Sequence, residues 1–391
     1  MTKKLKNILV KLELDGRGVV NFDSNDQKYL ALKTETLKTD PNNSNVMFAK
    51  KAFTVKDVTA DGKLILDYKL KISSNSLNNN IFGEHQVENN SAIEHHKMLL
   101  YLHMASIPSI LRGYLWANSG FKKNGALTIC DAIQTNNSQS SLEIFTKSGV
   151  KKSNVAGDKK DTSLFYKETI GDINYETIGC INLSALQFVS CDSLFDRMAF
   201  NSDDFGIYRE YLCRNLPNSD YIALDYYLLN NTIVNIPEYG ILFSNENIVY
   251  MVRDQISKLL NIGIYKKGGY AKTKSLKIKF VYDSLIDTFE NNDGWVTIKS
   301  LEDINSINFE TNFIYSPVDR EESLRIRKEF EMQQKVAKEK DRIKSEEKKE
   351  LARQRNEEKK RRAKEEMEKQ KNEELNKLDE QSDEPKSNTN E

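Results

Sequence analysis

The chain has 391 residues, and its 58 basic and 58 acidic side chains balance to a formal net charge of +0. That balance excludes a polycation drawn to nucleic acid by its total charge, so any basic surface has to be local. Composition divides the length into a body over residues 1–317, ample for a sizeable apolar core, and a tail from Arg320 to Asp379 built almost entirely of Lys, Arg, Glu, Gln and Asn.

The N-terminal MTKKLKNILVKLELDG is interrupted by Lys11 and Glu13, and no stretch reaches the ~18 apolar residues a membrane helix requires. Cys130, Cys180, Cys191 and Cys213 lie far apart, without the close pairs of zinc or redox centres. A cytoplasmic protein with reduced thiols and no membrane partner is the expectation.

In chain order, Asn7 to Leu14 reads as a strand, Asp15-Gly16-Arg17-Gly18 as a tight turn and Val19 to Phe22 as the returning arm of a hairpin. A polar linker around Pro41 precedes VMFAKKAF, a short strand. Next comes KLILDYKLKISSNSLNNNIFG, where Leu64, Leu66, Tyr68, Leu70 and Ile72 share one face and Lys69 and Lys71 the other. Ser73, Ser74 and Asn75 offer small polar groups where the strand stops, suited to cap a helix that buries Leu77, Ile81 and Phe82. Cations, hydroxyls and backbone amides converge at this elbow. It fits a phosphate-binding wall for a nucleic-acid strand, and equally an ordinary strand-to-helix junction.

Ser91 to Ser106 predicts a helix that breaks at Ile107-Pro108. Strands follow at Leu127 to Ile133 and Leu142 to Phe145. A Lys, Ser and Gly-rich excursion from Lys147 to Asp161 reads as a projecting loop or hairpin tip. Strand character returns from Tyr166 to Cys191, then at Tyr221 to Leu229, Leu276 to Tyr282 and Trp295 to Ile298, with helices at Phe205 to Arg214 and Asn247 to Leu260. Strands and helices mix without strict alternation, which predicts an α+β body around a mainly antiparallel sheet.

No Gly-x-Ser-x-Gly elbow, P-loop or paired-carboxylate motif is present, so no catalytic residue is assigned and no cofactor is expected. His96 and His103, seven residues apart, share a helical face, but a metal site needs carboxylates or thiolates at matched spacing and only Glu84, Glu88 and Glu94 are near, so no metal is expected. The basic clusters carry more. Lys122-Lys123 follow the aromatic GYLWANSGF, and Lys266-Lys267-Gly268-Gly269-Tyr270-Ala271-Lys272 is read as a link from a helix to a strand. In that link two glycines allow close approach to a bulky anion, three lysines can neutralise phosphates and Tyr270 can stack on a base or sugar. A solvated turn that needs glycine for its left-handed backbone fits the same residues.

Taken in order, LDGRGVVNFDS, KLKISSNSLNNNIF, ILRGYLWANSGFKKNGALTICDA, CINLSALQFVSCDSLFDRMAF and KKGGYAKTKSLKIKF resemble the backbone subunit of class 1 CRISPR effector complexes, the Cascade-like members of the RAMP superfamily. The resemblance implies a palm on an RRM-like or ferredoxin-like antiparallel sheet, with a helical insertion (about 84–125) and a protruding thumb hairpin (about 146–162). It implies a non-catalytic subunit that oligomerises along a CRISPR guide RNA, grips its sugar-phosphate backbone, joins other effector subunits, and meets target nucleic acid through pairing with the guide. By this resemblance Lys71, Ser73, Ser74 and Asn75 border the RNA groove. Arg112, Lys122 and Lys123 come from the helical insertion, and Lys266, Lys267 and Lys272 from the glycine-rich loop. Where the family often carries a basic residue after the elbow, this chain has Asn78, Asn79 and Asn80. A metal-dependent ribonuclease of related fold, or a phage or plasmid structural protein using its charged tail, are the alternatives.

The tail is expected to form a lone charged helix over 318–380, because its apolar residues are too unevenly spaced for a heptad seam. Residues 381–391 are expected to be disordered.

Overall fold

The computed structural model describes residues 4–18, 20, 22–23, 46–49, 51–58, 64–83, 95–137, 140–149, 161–217, 221–230, 235–266, 269–282, 289 and 293–380. The chain forms two compact units, Met1–Asp319 and Arg320–Glu391.

Strand β1 spans Asn7–Gly18, and β2 (Phe22–Asp23), β3 (Val46–Ala49), β4 (Lys51–Val58) and β5 (Leu64–Ile72) follow. The predicted hairpin at residues 15–18 does not form. β1 runs straight through it and pairs antiparallel with a strand on each side, as far as Arg17↔Asp172 on one and Gly18↔Gly269 on the other. The reason lies at Gly16, where a Cβ would stand 2.1 Å from the Tyr270 carbonyl oxygen. Glycine here lets two backbones approach and is not a turn signal.

Helix α1 covers Ser74–Ile81 and buries Leu77 and Ile81, with Ser73 as its N-cap. Helices α2 (Lys97–Met104) and α3 (Ile107–Arg112) come next. The expected break is present, α2 ending at Met104 and α3 starting at Ile107, and Pro108 sits in the first turn of α3, where its missing N–H costs nothing. The short strands β6 (Tyr114–Leu115) and β7 (Lys122–Lys123) pair with each other. The strand expected over 127–133 is two strands, β8 (Leu127–Ile129) and β9 (Ala132–Gln134).

β10 (Ser140–Gly149) and β11 (Asp161–Ile170) form a long antiparallel hairpin, paired from Ser140↔Ile170 to Gly149↔Asp161. Most of the predicted excursion, 150–160, lies outside the described residues. β12 (Asp172–Asn182), helix α4 (Leu183–Gln187) and β13 (Phe188–Ser190) continue the chain. Then come α5 (Phe205–Asn215), β14 (Asp225–Leu229), β15 (Glu238–Leu242) and α6 (Asn245–Leu260). β16 (Gly263–Lys266), β17 (Gly269–Val281), β18 (Val296–Ile298), α7 (Leu301–Ser306) and β19 (Tyr315–Pro317) complete the body.

Among the described residues the main sheet runs β16-β17-β1-β12-β9-β5-β4, with β18 on β17 and β8 on β12. β1 is an interior strand between β17 and β12, and its alternate side chains Ile8, Val10, Leu12 and Leu14 are fully buried, each contributing about 2 kcal/mol by leaving water. Helix α6 buries Ile248, Val249, Met251, Val252, Ile256 and Leu259 at helical spacing, and the Ser244 side chain accepts from the Asn247 amide to start it. On the other helical block, Tyr101 of α2 meets Tyr208 of α5 edge-on at 6.3 Å, and Tyr208 stacks on Phe200 at 4.2 Å. The α+β class and the mainly antiparallel pairing follow the sequence expectation. A parallel exception joins β11 to β3.

In the second unit, α8 spans Arg320–Glu380. Its ion pairs are local: Arg325 pairs with Glu322 at 2.6 Å, and Arg342 with Glu339 and Glu346 at 3.5 and 3.4 Å. Exposed pairs of this kind each contribute little, so the helix depends on their number. Residues 381–391 lie outside the described residues. No helix among the described residues is long and apolar enough to cross a membrane.

Candidate nucleic-acid interface

The elbow after β5 forms because the alternation Leu70 buried, Lys71 half-buried, Ile72 buried ends at residues whose side chains prefer to bond backbone. Ser73 accepts from the Ser76 amide at 3.4 Å. Asp131, between β8 and β9, then locks the junction. Its two oxygens take the Ser74 amide at 2.8 Å and the Lys71 ammonium at 2.9 Å. Burial pushes the Asp131 carboxyl up, but the Ser74 amide and then the Lys71 ammonium outweigh it and hold the group below the usual carboxylate range. The elbow is therefore locally neutral, since the charge of Lys71 is already matched.

Asn75 and Asn79 are exposed on α1. Arg112, at the end of α3, donates through Nη2 to Asn79 Oδ1 at 3.2 Å. Two sites that sequence could only place separately, the elbow helix and the basic end of the helical block, thus meet. The asparagine triplet does not simply lack a cation; Asn79 brings one in from α3.

The two lysines of β7 have opposite surroundings. Lys122 forms a 2.5 Å ion pair with Asp196, whose side chain is almost fully exposed. Lys123 is 9% exposed, and its Nζ donates to the Ala185 carbonyl at 2.5 Å. The ammonium points inward, so the expected surface contact at Lys123 is not on the surface.

The glycine-rich segment joins β16 to β17 and not a helix to a strand: Lys266↔Gly269 and Tyr265↔Tyr270 are cross-strand partners. Lys267 and Gly268 lie outside the described residues. Gly269 has the same role as Gly16, because a Cβ there would stand 2.1 Å from the Arg17 carbonyl oxygen. Lys266, Lys272 and Lys274 are exposed, and no ion pair engages Lys266 or Lys272 among the described residues. Beside them Tyr265, 72% exposed, stacks on Tyr270 with centroids 6.5 Å apart and planes 25° from parallel. This edge of the main sheet therefore presents unpaired cations next to two aromatic faces, the combination that holds single-stranded nucleic acid.

Asp131 and the partnership of Asn79 with Arg112 were not anticipated from sequence. Asp131 gave no separate signal, because residues 127–133 read as one unbroken strand and the structure divides them at Cys130-Asp131. Tyr265 was missed because the segment was read as a loop. His103 packs edge-on to Trp116 at 5.4 Å, and no group of three or more metal-ligating side chains forms among the described residues.

Among solved structures, the chain is similar to one in a CRISPR RNA-guided surveillance complex, with TM-score 0.31 and 10% identity, covering 70% of this chain and 68% of that one. A second, in a pre-nicking CRISPR RNA-guided surveillance complex, gives TM-score 0.31 and 7% identity over 70% of this chain and 77% of that one. A third, in the type III-B Cmr-beta complex bound to cognate target RNA, gives TM-score 0.26 and 10% identity over 45% and 47%. No curated protein matches the chain. The family model described as type I-Fv CRISPR-associated protein Cas7fv-like matches residues 4–287, which spans the main sheet from β1 to β17. The chain belongs to the Cas7fv-like family of type I-Fv CRISPR-associated proteins, and with it to the Cas7-like backbone subunits of class 1 CRISPR complexes that its sequence resembles.

Proposed function

We propose that the chain is a non-catalytic, guide-RNA-binding backbone subunit that oligomerises along CRISPR RNA in a cytoplasmic antiviral effector complex. The observation that carries this reading is the family match over residues 4–287. The strand order β17-β1-β12-β9, with helices in the connections from β1 to β9 and from β12 to β17, supports an RRM-like palm. On this reading residues 1–317 are the RNA-binding body, about 84–125 its helical insertion, and the β10–β11 hairpin carries the thumb at about 146–162. The charged helix over 318–380 and the terminal 381–391 are appendages to it.

The grip is electrostatic and sequence-independent. Lys266, Lys267 and Lys272 neutralise successive phosphates, and Tyr265 and Tyr270 take the face of a base or sugar. Arg112 and Lys122 continue the cationic track. Lys71, Ser73, Ser74 and Asn75 border the groove as a neutral wall, whose shape Asp131 fixes. The partners are the guide RNA, further copies of the chain, other effector subunits, and target nucleic acid paired to the guide.

The test is purification together with the products of neighbouring genes, with absorbance at 260 and 280 nm read before and after ribonuclease. The reading expects a large assembly rich in nucleic acid that falls apart on digestion. A chain that stays monomeric and free of nucleic acid when a guide RNA is supplied contradicts it.

A further inference from the structure

Lys123 lines a cavity of about 230 Å³, together with Asn182, Ser184, Ser190 and Arg197. The groups around it are short of acceptors. Asn182 Oδ1 is occupied by the Ser184 amide and hydroxyl at 3.0 and 2.5 Å, which leaves its NH₂ to donate. Ser190 Oγ accepts from the Asp192 amide at 3.2 Å, which leaves its O–H to donate. Arg197 gives Nε and Nη2 to Glu238, leaving Nη1.

Lys123 differs from Arg197 in having no counter-charge. Its contacts are the carbonyls of Ala185 at 2.5 Å and Asn124 at 3.4 Å, and no carboxylate pairs with it among the described residues. Asp196, the nearest acid in sequence to the cavity wall, is taken by Lys122. A buried charge without a partner is costly. Burial accordingly pulls the Lys123 ammonium down to about 8. The other charged or titratable groups around the site are Arg197, Glu238 and Asp192, and Tyr315, whose hydroxyl burial pushes up.

We infer that this cavity is a binding site for a phosphoryl group, held by Lys123, Arg197, Asn182 and Ser190. An entering phosphoryl anion, singly charged in an RNA diester and up to doubly charged in free phosphate, supplies the counter-charge that Lys123 lacks and the acceptors that the surrounding donors lack. The site stands on its own donor set. That the phosphoryl group belongs to guide RNA, in place of free phosphate or a nucleotide, rests on the function proposed above.

The test uses the full chain and sodium sulfate, a tetrahedral dianion whose charge does not change near neutrality. Binding heat and thermal midpoint are followed at constant ionic strength set with sodium chloride. A saturable response at pH 7.0 is expected, weakened about tenfold or more at pH 9.5, where Lys123 is neutral. Lys123→Met should unfold as cooperatively as the parent yet lose the response and its pH dependence. Ser190→Ala, which keeps both cations, should weaken binding several-fold. A parent response no greater than that to chloride, or full binding by Lys123→Met, overturns the site. Where sulfate binds, displacement by a single-stranded RNA oligonucleotide assigns the phosphoryl group to RNA. Displacement by inorganic phosphate or a mononucleotide alone keeps the site but separates it from the proposed guide-RNA role.

Discussion

The elbow after β5 and the β16–β17 hairpin contain the same kinds of residue and offer opposite surfaces. At the elbow, Lys71 is held at 2.9 Å by Asp131 and Ser73 is used to cap α1. At the hairpin, Lys266 and Lys272 are exposed beside a stacked tyrosine pair. The difference is one carboxylate, contributed from 60 residues away. A basic residue at a polar junction is therefore not yet a phosphate contact, because what decides is whether an acid of the same chain has already claimed it.

The comparison breaks most completely if the hairpin is detached from the sheet. Gly16→Ala places a Cβ against the Tyr270 carbonyl, and overpacking of this kind should cost about 3 kcal/mol. Urea denaturation should show the loss, and RNA affinity should fall with it while the elbow, on the far side of β12, is untouched.

Lys123 is the extreme case, a largely buried cation whose contacts are carbonyls and which no acid pairs with among the described residues. Its folded value of about 8 lies below that of an unfolded lysine. The unfolded chain therefore binds more protons between about pH 8 and 10.4. The penalty is full below pH 8 and lifts as pH rises through that window, a gain of up to about 3 kcal/mol. Denaturation midpoints in chloride buffer should rise with pH in the parent relative to Lys123→Met; parallel curves would mean that Lys123 is not buried as a cation.

Much of this was legible in sequence, and the errors have a common cause. The β5 strand, the Ser73 cap and helix α6 are written in local periodicity and capping residues, and the structure has them where those signals place them. The reading of Gly16 and Gly18 as a turn failed because glycine serves two ends, positive φ and close approach, and only the neighbouring strand distinguishes them. Gly18 does have φ +74, while Gly16 is needed for contact with Tyr270. The Lys71–Asp131 pair, the Arg112–Asn79 bond and the inward turn of Lys123 all depend on residues 33 to 62 positions apart, and no local pattern encodes them.

Two smaller effects sharpen the contrast. Replacing Tyr265 and Tyr270 together by Ala should weaken single-stranded RNA binding by about 1–3 kcal/mol for each base stacked, with little change in its salt dependence; fluorescence anisotropy would measure both. Asp131→Ala should destabilise the body by about 1 kcal/mol through the lost bonds to Ser74 and Lys71, while freeing Lys71 and leaving RNA affinity equal or slightly higher. Because Asp131 titrates below the usual range in the fold, its contribution is present above about pH 4 and is lost as pH falls through the folded value. The two proteins should therefore converge in stability in acid.

The most direct measurement is the dependence of single-stranded RNA affinity on salt for the parent, for Lys71→Ala, and for the triple variant with Lys266, Lys267 and Lys272 changed to Ala. Neutralised phosphates set the slope of log affinity against log salt at about 0.7 per contact for single strands. The triple variant should lose about 2 from the magnitude of that slope and bind more weakly at low salt, whereas Lys71→Ala should keep the parent slope. An unchanged slope in the triple variant, with a reduced one in Lys71→Ala, would contradict the assignment of the grip to the hairpin.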